Sequence, residues 1–164
     1  MKKLHPENTT VEIIKFMAAT ELPDTDAVVA EQDTNLLLGL SPVIHAPTET
    51  YRTLVREMQD QKPLTPGEVL IRDETPLRLT AIVYAIEQKP VCREQWITVA
   101  LNNVLGLCVK HKIKSLAMPP LGCTHGGIEA ETFMEILESV LSGHQAAFPQ
   151  KIWIVIPILP VTRR

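Results

Sequence analysis

Met118-Pro119-Pro120-Leu121-Gly122-Cys123-Thr124-His125-Gly126-Gly127-Ile128 is the stretch on which the reading of this chain turns. It follows Ser115-Leu116-Ala117-Met118, a short apolar strand closed by two prolines that supply no backbone donor. It precedes Glu129–Leu141, where Phe133, Met134, Leu137, Val140 and Leu141 recur at helical spacing and Gly143 stands just past the end. A glycine-rich turn between strand and helix is a place where backbone N–H groups approach a ligand closely. Together with the start of the next helix, such groups favour an anion. Spacing alone leaves a second reading open, a tight turn that holds no ligand. The pattern is neither the P-loop, which also needs Lys followed by Ser or Thr, nor Gly-x-Gly-x-x-Gly.

Working outward, strands and helices interleave. Val11–Phe16 and Asp26–Ala30 read as strands, and a polar stretch bearing Gly and Pro runs from Glu31 to Pro47. Tyr51, Leu54, Val55 and Met58 share one face of a predicted helix over Thr48–Gln61. Gly67–Ile71 and Leu77–Ile86 are further strands. Arg93–Lys112 is the longest predicted helix, with Ile97, Leu101, Val104, Leu105 and Cys108 as its apolar stripe. Its closing Lys110, His111 and Lys112 suit the negative end of a helix dipole. Ile152–Ile156 is apolar without alternation, as a strand covered on both faces must be. The expected fold class is therefore α/β, a three-layer α/β/α sandwich around a mixed, largely parallel sheet. In such sheets ligands bind beyond the carboxyl ends of the strands.

Composition narrows the function classes. The 164 residues suit one domain, 1–164, with 1–9 as a loose extension. A net charge of −3 and 4% aromatic residues give no footing for nucleic acid, neither a basic track nor a row of stacking platforms. The apolar run Ile152–Pro160 is too short to span a bilayer, and the N-terminus lacks the apolar stretch of a signal peptide. The odd set Cys92, Cys108 and Cys123 points to a reducing, cytoplasmic setting rather than a disulfide framework. No cofactor and no metal are expected: Cys123 and His125 with Asp33 or His45 lack the paired spacing of a metal site. Cys123 is read as a packing residue rather than an activated thiol, and His125 as an exposed imidazole with a possible phosphate contact.

The segment Lys114–Gly127 resembles the second phosphate-binding loop of macrodomains, where a strand ending in Pro leads into Leu-Gly-Thr-Gly-x-x-Gly and a helix. Asp26-Ala27-Val28-Val29 is similar to the family's Asp-Ala-Ile-Val strand, and the likeness runs in order from Val11 to Ile156. The resemblance implies binding of ADP-ribose or a related nucleoside diphosphate, a small-molecule partner. It places the diphosphate against Gly122, Cys123, Thr124, His125, Gly126 and Gly127. Gly39, Leu40, Ser41, Pro42 and Val43 would form the opposite wall, with Asp26, Ala27 and Val28 beside the base.

The family pattern is also broken. Ala30-Glu31-Gln32-Asp33 stands where macrodomains usually carry Asn-Ala-Ala-Asn, and Ala18-Ala19 where an adenine-reading Asp is usual. The branch that hydrolyses through a first-loop Lys and a second-loop Asp does not match, since no Lys lies between Lys15 and Lys62 and no Asp in Leu121–Ile128. Two alternatives to a binding module therefore stand. One is an ADP-ribosyl or phosphoester hydrolase with Asp33 as base and His125 assisting. The other is a ligand-free version of the fold used for assembly or protein contact. Enzymatic activity and oligomeric state are left open.

Overall fold

The computed structural model describes residues 11–18, 23–38 and 63–157. Seven strands and two helices follow in the order β1 (Glu12–Ala18), β2 (Ala27–Asp33), β3 (Val69–Arg72), β4 (Leu77–Ile86), β5 (Pro90–Val91), α1 (Glu94–Lys110), β6 (Ser115–Met118), α2 (Ala130–Ser142) and β7 (Lys151–Pro157). The predicted first-loop wall at Gly39–Val43 and the predicted helix over Thr48–Gln61 lie outside the described residues.

The sheet runs β1-β7-β6-β2-β4-β3, with β5 paired to β4 off that path. β1, β7, β6, β2 and β4 are mutually parallel, whereas β3 joins β4 antiparallel. This is the mixed, largely parallel sheet of the expected class. Both faces are covered. In β4 the consecutive residues Ala81, Ile82, Val83 and Tyr84 are all fully buried, and in β6 so are Leu116, Ala117 and Met118. Such runs occur only where layers pack on each side of a sheet.

The helices bury the stripes read from the sequence. Ile97, Leu101, Val104, Leu105 and Cys108 of α1 are buried, as are Phe133, Leu137 and Val140 of α2. These side chains join Leu79, Val83, Leu116 and Ile152 in one core. Burying a Leu or Phe side chain contributes about 2 kcal/mol, so this cluster outweighs any propensity term in holding the helices to the sheet.

One boundary differs from expectation in a way that matters. β2 does not end at Ala30 but continues through Glu31 and Gln32 to Asp33. Three polar residues read as loop, yet they extend the strand because each side chain finds a partner. A register shift accompanies the extension: Gln32 faces Ile82 and Asp33 faces Tyr84, so Val83 is bulged out of the β4 ladder.

Candidate functional site

The carboxyl ends of β2, β4 and β6 meet beneath the glycine turn. Pro119 and Pro120 end β6, and the buried Leu121 anchors the start of the loop in the core. Gly122 then takes φ +83°, a left-handed conformation that side chains resist, and a Cβ there would lie 2.8 Å from Cys92 Sγ and 2.9 Å from Ile97 Cδ1. Gly126 is barred from a side chain by space alone: its Cβ would come within 2.4 Å of Cys92 Cβ. Gly127 is different. It has φ +73° and nothing within 4 Å of where its Cβ would stand. Packing thus accounts for Gly122 and Gly126, while Gly127 opens outward.

Where the loop's amides go decides what it can bind. Gly126 and Ile128 both donate to the Gly122 carbonyl, at 3.1 Å and 3.2 Å, and Cys123 N–H donates to Pro120 at 3.3 Å. Gly122 N–H donates to Glu31 Oε1 at 2.7 Å, and His125 N–H to the Tyr84 hydroxyl oxygen at 3.3 Å. The Tyr84 hydroxyl in turn donates to the same Glu31 Oε1 at 2.8 Å. Among the described residues, the N–H groups of Thr124 and Gly127 have no acceptor, and both residues are exposed.

The electrostatics follow from this arrangement. Burial, followed by the neighbouring Glu31 carboxylate, drives the Tyr84 phenol well above its ordinary range, so it stays protonated and donates. The same two causes push the Cys123 thiol up to about 11. Cys92 is pushed up to about 12 by burial, then Glu31 and Cys123. Neither cysteine carries the thiolate that nucleophilic chemistry requires, in line with a packing role for Cys123. The His125 ring stands edge-on to Tyr84, with ring centroids 5.6 Å apart.

Asp33, a candidate base in the sequence, is fully buried. One oxygen accepts Asn35 N–H at 2.7 Å, and the other accepts Leu37 and Leu38 N–H at 2.8 Å and 2.6 Å. Gln32 completes the turn through its own contacts to Leu38. A carboxylate enclosed by three amides is the acceptor that closes a turn, with no path to a water or a substrate. The geometry therefore corrects the expectation of a base at Asp33.

Asp26 and Ala27 are not brought to the glycine loop either. Asp26 stands at the opposite, amino-terminal end of β2, where its carboxylate accepts Lys114 N–H at 2.9 Å and Ser115 N–H at 3.4 Å. The parallel register sets Ala27 beside Leu116 and Val28 beside Ala117, so all three residues lie at the wrong end of the strand for a ligand above its carboxyl edge. Gly122 to Gly127 form one continuous turn above the carboxyl ends of the strands, while Gly39, Leu40, Ser41, Pro42 and Val43 lie outside the described residues. Sequence reasoning missed Tyr84 as a site residue and weighed Glu31 only as an acid/base partner of Asp33 or a solvated side chain at a strand end. Glu31 carried a signal, since it is a charged residue where the resembling family has Ala. Tyr84 carried none, because its role comes from a pairing between neighbouring strands that are distant in sequence.

Among the described residues, no group of three or more His, Cys, Asp or Glu side chains is arranged to hold a metal, and no helix is long and apolar enough to cross a membrane.

The macro domain family model matches residues 39–137. No curated protein sequence matches. The macrodomain of Mycobacterium tuberculosis DarG superposes with a TM-score of 0.63 at 17% identity, over 89% of this chain and 99% of that one. A Trypanosoma brucei macrodomain in complex with ADP gives 0.62 at 16% identity, over 90% of this chain and 65% of the other. A point variant of the Oceanobacillus iheyensis macrodomain with ADPR gives 0.62 at 18% identity, over 95% and 89% of the two chains.

Proposed function

The chain belongs to the macro domain family, and on that premise we propose that it binds an ADP-ribose-like nucleotide. A phosphate of the ligand lies against the outward half of the second loop, from Thr124 to Gly127. One observation carries the reading. Thr124 and Gly127 present N–H groups with no acceptor among the described residues, at exposed positions where Gly127 leaves open space. Two unpaired amides beside a helix start suit an anion with about one phosphoryl group in contact. Related folds determined with ADP and with ADPR support the ligand class.

Calorimetric titration of the purified chain with ADP-ribose tests this. Binding heat that disappears on Gly127→Ala supports the assignment. No heat and no rise in unfolding temperature at millimolar ligand overturns it.

A second reading has its own observation. Most of the loop's amides are already satisfied: those of Gly122, Cys123, His125, Gly126 and Ile128. With its loop closed on itself the fold would hold no ligand there, which leaves assembly or protein contact as its use. The same titration separates the two readings. Hydrolysis with Asp33 as base is outside the proposal, because that buried carboxylate has both oxygens engaged by main-chain amides.

A further inference from the structure

Among the described residues, Glu31 is the one side chain that touches the glycine loop with a charge of the wrong sign for a phosphate. Its Oε1 receives the Gly122 N–H at 2.7 Å and the Tyr84 O–H at 2.8 Å. Through Tyr84 it also commits the His125 N–H, which ends on the phenol oxygen at 3.3 Å. Two main-chain donors of the loop are thus directed inward by one carboxylate. A hydrogen bond to an ionised acceptor is about twice as strong as one between neutral groups, so these donors do not turn outward at no cost.

We propose that Glu31 is an internal anion that competes with phosphate for this loop, and so sets the affinity and charge preference of the site. The inference rests on the nucleotide-binding reading and deepens it. With the carboxylate in place, the loop offers Thr124 and Gly127 to a ligand, and a phosphate on the loop faces the negative charge that Glu31 holds behind Gly122. Like charges on one loop repel, and the less water lies between them the stronger the repulsion. The native loop therefore selects a ligand whose charge at this point is low, a sugar hydroxyl or a singly charged phosphoryl group rather than a phosphate monoester or inorganic pyrophosphate. Removing the carboxylate releases the Gly122 amide, lets the Tyr84 hydroxyl donate outward, and removes the repulsion.

The test uses the full chain and its variants Glu31→Ala and Glu31→Gln, titrated with ADP-ribose and with inorganic pyrophosphate at low and at high salt. Gln keeps an oxygen for Gly122 and Tyr84 but carries no charge, so it separates repulsion from the loss of a hydrogen-bond acceptor. Glu31→Ala is expected to bind both ligands roughly tenfold tighter or more, with Glu31→Gln between it and the native chain. The gap narrows at high salt, where exposed charges are screened. Folded variants that bind no tighter than the native chain overturn the proposal. So does weaker binding in Glu31→Ala with Glu31→Gln unchanged, which would make the carboxylate a support for the loop. Should Glu31→Ala fail to fold, Glu31→Gln decides alone.

The outcomes also part this inference from the reading beneath it. A silent native chain beside a binding Glu31→Ala sustains the competition and removes nucleotide binding by the native protein. A binding native chain with unimproved variants does the reverse. Silence from all three proteins removes both.

Discussion

β2 carries a carboxylate near each end, and both reach across to the segments that flank β6, yet they do different work. At the amino-terminal end, Asp26 accepts Lys114 and Ser115 N–H while its own N–H donates to Ser115 Oγ at 3.0 Å and to the Ser115 carbonyl at 3.1 Å. Donors and acceptors there match one another, and the corner is closed. At the carboxyl end, Glu31 meets Gly122 and Tyr84, but Thr124 and Gly127 keep donors with no described acceptor. The same device, a side-chain carboxylate on main-chain amides, finishes a turn in one place and leaves a mouth in the other. The difference is in the number of donors the backbone supplies. A β6 entry has few, whereas a glycine loop ahead of a helix has more than one carboxylate can use.

The sharpest way to break this comparison is at Asp33, next along the same strand. Asp33→Ala strands three half-buried amides and is expected to cost about 3 kcal/mol of unfolding free energy in urea titration. A loss under about 1 kcal/mol would mean that water reaches those amides, and would reopen Asp33 to chemistry.

Within the loop, Gly126→Ala forces a Cβ to 2.4 Å from Cys92 Cβ and 2.9 Å from the Gly122 oxygen. It is expected to destabilise by about 2–3 kcal/mol, as overpacking does. Gly127→Ala meets only the strain of φ +73°, about 1 kcal/mol, while weakening ADP-ribose binding more than any other loop substitution. Equal destabilisation by the two alanines would erase the distinction between a packed and an open glycine.

At the other end of β2, Asp26→Ala is expected to cost about 1 kcal/mol, because the residue is exposed and water replaces the lost contacts. Its affinity for ADP-ribose should match that of the native chain. A fall in affinity would return Asp26 to the site from which the geometry removes it.

The smallest effect is kinetic. With the Cys123 thiol pushed up to about 11, the thiolate is scarce at neutral pH and grows as pH rises towards that value. Alkylation of Cys123, followed by mass spectrometry, should climb about tenfold per pH unit from neutrality without levelling near pH 8, where an unperturbed cysteine begins to saturate. An early plateau would show that burial, and after it the Glu31 carboxylate, perturb the thiol less than the packing implies.

Much of the fold was legible before any coordinates. The stripes of α1 and α2 were readable because helical periodicity shows up within one turn of sequence, and β7 because an unbroken apolar run has few other uses. The glycine loop was readable because Pro119-Pro120 ends a strand and three glycines precede a helix. The end of β2 was not. Glu31, Gln32 and Asp33 look like loop residues, and only their partners Tyr84, Gly122 and Leu38 make them a strand. The two-residue β5 at Pro90–Val91 is likewise set by its pairing with Ala85 and Ile86, which local composition does not reveal.

By itself, the order of residues determined the alternation of strands and helices, the faces they bury and the glycine turn that gathers donors, since each depends on neighbours a few positions apart. Only the tertiary structure decided which of those donors stay unspent. That depends on Glu31 and Tyr84 arriving at Gly122 from 91 and, through His125, 41 positions away. Hydrogen bonds act over about 3 Å, and separation along a chain does not predict which groups the parallel register will bring within that reach.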